Sequence, residues 1–283
     1  MDTNRIGDPI TAPKVFFITG ASRGFGKLWA EAFLKRGNKV IATARTPDDL
    51  NELIEKYGDA VFPVKLDVND RESCFRAVKQ AKEHFRRIDV LINNAGYGLF
   101  GAIEETTEQE ARSQLDTNFF GLLWITQAIL PVMREQKSGH MIQVSSMLGL
   151  VTLPFLGLYN ASKFAVEGLT ETLAAEVAGF GIKVSLIEPN GYSTDWAGAS
   201  AIRTAQTTVY TPLKEAFFGK LTPDSWGKPE ATINAIIKLV DSPNPPLRLL
   251  LGKVAYSLVR QNYEKRFVEF EAWKAVSAAA HGK

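Results

Sequence analysis

Continuous apolar runs recur along the chain, at residues 15–18, 40–44, 61–66, 90–92, 141–144, 184–187 and 247–251, with stretches of helical period between them. Runs that are apolar at nearly every position, rather than at every second one, suit strands buried on both faces, the condition of a parallel sheet covered by helices. The intervening stretches carry matching signals. After Thr46, a candidate N-cap with Pro47 at the first helical position, Leu50, Leu53, Ile54 and Tyr57 fall at i, i+3, i+4 and i+7, and Gly58 can end the helix. Asn69 with Glu72 predicts a second helix, in which Phe75, Val78 and Phe85 share one side. Thr107 with Glu110 forms a capping-box pattern ahead of Leu115, Phe119, Leu122 and Ile129, and Pro229 opens a helix carrying Ile233, Ile236, Ile237 and Val240.

Strand and helix alternate six times with no proline- or glycine-rich linker, internal repeat or low-complexity tract. The expected fold is therefore one doubly wound α/β domain with a seven-stranded parallel sheet. In that reading residues 1–13 are an N-terminal extension, 14–252 the sheet domain and 253–283 a helical tail of the same domain. Two regions break the rhythm. Residues 195–228 hold Trp196, Tyr210, Phe217, Phe218 and Trp226 in a sequence too irregular for a strand. In the tail, Val254, Leu258, Phe267, Phe270 and Trp273 lie among charges and suggest an amphipathic helix.

A chain of 283 residues, 45% hydrophobic, can fill such a core, so composition is more useful for what it excludes. With 33 Lys and Arg against 31 Asp and Glu the net charge is +2, with no block of like charge to hold a phosphate backbone, which argues against nucleic acid as a partner. Cys74 is alone, and His84, His140 and His281 stand far apart, so neither a disulfide nor a metal site is expected. The first residues lack the apolar core of a signal peptide, and the stretch 119–133 is too short and interrupted to span a bilayer. A cytoplasmic protein is expected, whose chemistry uses hydroxyls, carboxylates, Lys, Arg or a borrowed cofactor.

The first run leads straight into Thr19-Gly20-Ala21-Ser22-Arg23-Gly24-Phe25-Gly26 and then a helical pattern with Leu28, Ala32 and Phe33. Strand, glycine turn and helix start together make a site for a pyrophosphate, because glycines admit positive φ and the helix N-terminus offers free N–H groups. The glycines at 20, 24 and 26 depart from the G-x-G-x-x-G spacing, and on spacing alone an ordinary tight turn would serve. An acidic residue about 20 positions beyond the turn would hold the ribose diol of NAD. That count ends at Ala44-Arg45, with no carboxylate; Arg45 and Arg23 could instead fork onto a 2′-phosphate, so NADP(H) is preferred over NAD(H). Asp48 and Asp49 follow, in what reads as the first turn of a helix, where carboxylates are favoured anyway.

Tyr159 and Lys163 stand four apart at the start of a helical pattern that continues through Val166, Leu169, Thr170 and Leu173, so they share one face. An ammonium within about 4–6 Å favours a phenolate, which would let Tyr159 exchange a proton nearer neutrality. Ser145 and Ser146 follow the fifth run and Asn93-Asn94-Ala95-Gly96 the fourth, both at carboxyl strand ends, where open α/β sheets bind ligands.

With these motifs in order the chain resembles the short-chain dehydrogenase/reductase superfamily, from Lys14 to about Asp195. The likeness rests on T-G-x-x-x-G-x-G at 19–26, Asp67 after the third run, N-N-A-G at 93–96, Asn118, the serine pair, and Tyr159 with Lys163. Residues 159–168 look most like the branch with hydroxysteroid and retinol dehydrogenases and many bacterial carbonyl reductases. The resemblance implies a single-domain Rossmann fold and an oxidoreductase in which Tyr159 exchanges the proton as hydride moves to or from nicotinamide C4. It implies that Lys163 holds the nicotinamide ribose, that Ser146 bonds the substrate oxygen with Ser145 as runner-up, and that Asn118 helps hold a relay water. Cofactor contacts would come from Gly20, Ser22, Arg23, Gly24, Phe25, Gly26 and Arg45, from Asp67 and Val68 at the adenine, from Asn94, Ala95 and Gly96 on the adenosine side, and from Pro189, Gly191 and Thr194 near the carboxamide. Asn190 stands where the family has glycine; it tolerates positive φ but brings bulk beside the nicotinamide.

In this family the segment after the sixth strand closes over the substrate, so the aromatic segment 195–228 implies a lid and a small apolar ketone, aldehyde or secondary alcohol. The same aromatic residues could instead pack only on the protein itself, as the tail helix could on its domain or a subunit. A homo-oligomer, dimer or tetramer, through helices near 107–135 and 157–180 is a family expectation. Two competing readings stand beside the reductase: a dinucleotide-sensing regulator that has lost catalysis, and a nicotinamide-bound enzyme of secondary metabolism catalysing a non-redox step, for which Asn190 is the local hint.

Overall fold

The computed structural model describes residues 13–198, 200–220, 222 and 225–282, so all of the expected N-terminal extension but Pro13 lies outside the described residues. The chain runs β1 (Val15–Ile18), α1 (Gly24–Lys35), β2 (Lys39–Ala44), α2 (Asn51–Tyr57), β3 (Val61–Lys65), α3 (Arg71–Phe85), β4 (Val90–Asn93), β5 (Leu99–Phe100), α4 (Glu108–Leu115), α5 (Gly121–Gln136), β6 (Gly139–Val144), α6 (Gly157–Val177), β7 (Ile182–Pro189), β8 (Ile202–Arg203), α7 (Thr211–Phe218), α8 (Ile233–Asp241), β9 (Arg248–Leu251) and α9 (Ala255–Ala279). Seven strands, in the order β3-β2-β1-β4-β6-β7-β9, form one sheet in which every pairing is parallel. The seven apolar runs are these seven strands.

Adjacent strand residues show why the runs are continuous. Phe16, Ile92 and Ile142 belong to a core beneath α1 and α8, whereas their neighbours Phe17, Leu91 and Met141 belong to a second core beneath α3 and α5. Each strand thus faces apolar helices on both sides. Polar groups inside are matched: Asn93 Nδ2 donates to Gln143 Oε1 at 2.8 Å and Thr126 Oγ1 at 3.1 Å, and Trp29 Nε1 donates to Thr232 Oγ1 at 2.8 Å. The chain builds from β1 outward to β3, then crosses back to lay β4 on the other side of β1. The crevice opened by that reversal lies at the carboxyl ends of β1 and β4.

Several local expectations are corrected. The cap of α3 is Asp70, whose side chain accepts from Ser73 N–H, and not Asn69. Thr46 precedes a 3₁₀ turn (Pro47–Leu50) that leads into α2, and its hydroxyl makes no capping bond. The segment thought too irregular for a strand contributes β8, which pairs with β5 in a separate two-stranded parallel sheet. Asn190 does not adopt positive φ; among the described residues the non-glycines that do are Arg86, Lys137 and Phe155. The tail helix is amphipathic only at its start. Ala255 is buried and Leu258 and Val259 pack beside it, but beyond Arg266 the helix leaves the body, with Phe267, Phe270 and Trp273 each about two-thirds exposed. No described helix is long and apolar enough to cross a membrane.

Candidate active site

Backbone geometry comes first at the sheet's open edge. After β1 the chain turns through Gly20 and Gly24, at φ +66° and +55°, into α1. A Cβ at position 26 would collide with the Gly20 carbonyl oxygen, so the start of α1 approaches β1 only because Gly26 has none. Arg23 precedes the helix in extended conformation, with no side-chain cap and no acidic residue in the first turn. The first N–H groups and the positive end of the helix dipole are therefore left for a ligand. The turn is pinned from β4: Thr19 Oγ1 accepts from Asn94 and Ala95 N–H, each at 2.9 Å, and Asn94 Nδ2 donates to the carbonyls of Thr19 and Gly20 at 3.0 and 3.1 Å. The Nδ2 of Asn94 thus shapes the turn, while the residue also lines the cavity.

A cavity of about 1240 Å³ opens over this turn and continues to the lid. That exceeds the few hundred to ~1,000 Å³ of a usual small-ligand pocket, leaving room for a dinucleotide with a second molecule. Every candidate catalytic or cofactor-binding residue lines it except Gly26 and Asn118. Arg23 and Arg45 stand exposed at its adenosine end, and among the described residues neither takes part in an ion pair. The open helix start, the Gly26 contact and these two cations fit a phosphorylated dinucleotide.

The catalytic candidates meet in the middle of the cavity. Tyr159 and Lys163 lie one turn apart on α6, both buried, with Lys163 Nζ donating to the Val144 carbonyl at 2.8 Å and sitting 5.7 Å from the centre of the Tyr159 ring. Ser146 ends the β6 segment; its Oγ accepts from Leu148 N–H at 3.1 Å and donates a long bond to the Pro189 carbonyl at 3.3 Å. Burial pushes the Tyr159 phenol above its ordinary range, and the Ser146 hydroxyl opposes that shift. Burial also brings Lys163 down to about 8, against the charge of Glu167. In this arrangement burial is the larger influence on the phenol, and the Ser146 hydroxyl is what opposes it. Ser145, the runner-up, lines the same cavity, but its hydroxyl has no partner.

Asn118 lies in a π-helical turn, Asp116–Phe120, between α4 and α5. Its amide is fully engaged: Oδ1 accepts from Tyr97 N–H at 3.0 Å, and Nδ2 donates to the Tyr97 carbonyl at 3.0 Å and to Ser162 Oγ at 3.1 Å. The side chain fixes the loop after β4 to α6.

The far end of the cavity is apolar. Trp196 meets Tyr159 edge-on at 4.9 Å between ring centres and Phe100 at 5.3 Å, and Phe155 packs on Phe217 and Phe218 at about 6 Å. Phe155 holds φ at +64°, a strained position for a bulky residue that costs about 1–2 kcal/mol. The aromatic residues of the lid thus serve both roles considered for them: Trp196, Phe217 and Phe218 pack on the protein and line the cavity at once.

Sequence reasoning missed what anchors the lid. Glu105 is buried, and its carboxylate accepts from Lys214 Nζ of α7 at 2.7 and 2.8 Å, from Thr207 N–H at 2.8 Å and from Ala102 N–H at 2.8 Å. Lys214, helped by these N–H groups, holds the Glu105 carboxyl down at about 2. The partners are about a hundred residues apart, and only the structure could join them. Asn190 also differs from expectation: its Nδ2 donates to the Gly191 carbonyl at 2.9 Å and its Oδ1 fills the space a Cβ at Gly252 would need.

Comparison with known proteins gives one answer at each level. The profile of the short chain dehydrogenase family matches residues 14–204. Oxidoreductase BOA17 of Botryotinia fuckeliana is 42% identical over 94% of this chain and 99% of its own length, and 3-ketodihydrosphingosine reductase of Bacteroides thetaiotaomicron is 39% identical over 87% and 90%. A short-chain dehydrogenase from Streptomyces avermitilis superposes with a TM-score of 0.87 at 36% identity, covering 95% of this chain and 99% of the other. Among more distant structures, ElxO with NADP bound gives a TM-score of 0.74 at 27% identity over 87% and 100%. A 3-ketoacyl-(acyl-carrier-protein) reductase from Brucella melitensis complexed with NADH gives 0.73 at 27% over 84% and 96%.

Proposed function

Because the chain belongs to the short-chain dehydrogenase family and is an oxidoreductase of it, we propose that it interconverts an apolar ketone or aldehyde and the corresponding alcohol with NADP(H). The observation that carries this reading is the buried cluster of Tyr159, Ser146 and Lys163 between an anion-ready glycine turn and an apolar lid. A bound nicotinamide supplies the hydride at C4. Tyr159 Oη gives its proton to the carbonyl oxygen, which Ser146 Oγ orients once it leaves its long bond to Pro189. Lys163 holds the nicotinamide ribose hydroxyls and keeps a positive charge beside the phenol. A phenol raised by burial is protonated at neutral pH, the form that gives a proton to a carbonyl oxygen.

Gly20, Ser22, Gly24 and Phe25 would cradle the pyrophosphate, Asp67 and Val68 the adenine, Gly96 the adenosine side, and Pro189, Gly191 and Thr194 the nicotinamide side. Gly26, Asn94, Ala95 and Asn118 would act by shaping the backbone around it. Arg23 and Arg45 favour the 2′-phosphate form. Support for an apolar substrate comes from Phe100, Trp196, Phe217 and Phe218, and from a relative named for reducing a long-chain ketone. Asn190 Nδ2 is held by the Gly191 carbonyl and its Oδ1 lies against Gly252 without a hydrogen-bond partner, and neither atom supplies a group that the hydride reading lacks. A homo-oligomer is supported by the aromatic edge of Phe120 and Trp124 at the start of α5, stacked at 5.7 Å, with Phe120 exposed.

The test is NADPH oxidation by the purified chain across a panel of apolar ketones and aldehydes, followed by absorbance, with NADH in parallel. Turnover with NADPH is expected. Tight NADPH binding with no carbonyl reduced across a broad panel would instead favour the regulatory reading.

A further inference from the structure

One turn beyond Lys163 on α6, Glu167 faces Glu188, the β7 residue just before Pro189. Both are buried, Glu188 completely. Arg248 of β9 reaches them: its Nε donates to Glu167 Oε2 at 3.0 Å, a terminal nitrogen donates to Glu171 at 2.8 Å, and Glu188 Oε1 lies 3.6 Å away without a hydrogen bond. Glu167 Oε1 and both oxygens of Glu188 are left buried with no donor. A single guanidinium faces three carboxyl groups, and its bonds go to two of them.

A buried carboxylate without a donor is strongly unfavourable, and a proton removes the conflict. A neutral Glu188 can donate its O–H to the free oxygen of Glu167, satisfying both with one bond. We propose that Glu167 and Glu188 share one proton as a buried acid pair and present a single negative charge to the Lys163 ammonium, making them positioning residues for the proton chemistry at Tyr159. The link to Tyr159 rests on the function proposed above; the shared proton does not. The charged groups facing the pair are Lys163 and Glu171 from α6 and Arg248 from β9, while the β6 end offers only the unpartnered hydroxyl of Ser145. Burial, with the neighbouring Glu167, raises the Glu188 carboxyl to about 8.

The pair has a signature independent of turnover. A carboxyl raised in the folded state stabilises the fold below its unfolded value, near 4.5, and that stability is lost as pH rises through about 8. The melting temperature of the wild type should therefore fall across this window more steeply than that of Glu188→Gln. Infrared spectra of the wild type at neutral pH should show a protonated carboxylic-acid carbonyl band, lost on raising the pH past about 8 and absent from Glu188→Gln. The wild-type titration decides the point even if the variant does not fold. In the reductase assay, Glu167→Gln removes the charge beside Lys163, so the basic limb of kcat should move down by about one pH unit. Glu188→Gln, whose amide stands for the neutral acid, should keep the limb in place. Absence of the acid band and parallel melting curves would overturn the shared proton. A Glu167→Gln loss equal at every pH would overturn the link to Lys163. If the wild type reduced nothing, the functional reading would fail while the infrared and melting results still decided the pair.

Discussion

At the glycine-turn end of the cleft the walls come largely from short segments after β1 to β4, within the first 96 residues and joined by neighbouring parallel strands. At the lid end they are side chains from β5, the loop before α6, the 195–228 segment and the start of α9. The first end is specified locally, since a turn that needs positive φ at Gly20 and no Cβ at Gly26 writes itself into a short motif. The second depends on tertiary meetings such as Phe155 with Phe217, which no local pattern encodes. One consequence is that cofactor and substrate contacts should be separable by mutation.

The largest effect is expected at the boundary of the two ends. Tyr159→Phe should lower kcat by about 10²–10⁴-fold while NADPH still binds, as read by fluorescence titration; wild-type turnover would dismiss Tyr159 as the acid. Next, Arg45→Ala and Arg23→Ala should each raise the KM for NADPH by about 10–100-fold, the range for hydrogen bonds to charged groups, with little change for NADH. An equal effect on both cofactors would break the assignment of a 2′-phosphate to these arginines. At the other end, Phe218→Ala should lower kcat/KM for bulky apolar ketones by about tenfold and spare the KM for NADPH; a change confined to the cofactor would show that the two ends are not separable.

The smallest effect concerns the lid anchor and reads out in stability. Glu105 is held at about 2 when folded and titrates near 4.5 when unfolded, so its contribution is present above about 4.5 and is lost as pH falls toward 2. Glu105→Gln should melt below the wild type at pH 7, and the gap should close in acid. A gap independent of pH would mean that packing, and not the ion pair with Lys214, holds α7 down.

The same contrast explains what the sequence made legible. All seven sheet strands were readable because burial on both faces leaves continuous apolar runs. The cap of α3 was misplaced by one residue, because Asn69 and Asp70 are both competent caps and only the backbone decides between them. The glycine turn and the Tyr159-Lys163 step were legible because their geometry lies within one element. Glu105 with Lys214, and Glu167 with Glu188 and Arg248, were not: those pairs arise from crossings between elements distant in the chain. The tail helix misled for another reason. Its apolar residues imply a covered face, and past Arg266 the body of the domain ends before the helix does.

The meeting of Asn190 with Gly252 restricts what this turn can accept. An asparagine at 190 puts Oδ1 where any Cβ at 252 would lie, and Gly252 also sits at φ +104°. Glycine at 252 is compatible with either glycine or asparagine at 190, whereas asparagine at 190 is compatible with glycine alone at 252. Position 252 is thus held to glycine twice over, by its own φ and by the Asn190 amide beside it, so Gly252→Ala should destabilise the turn more than Asn190→Gly.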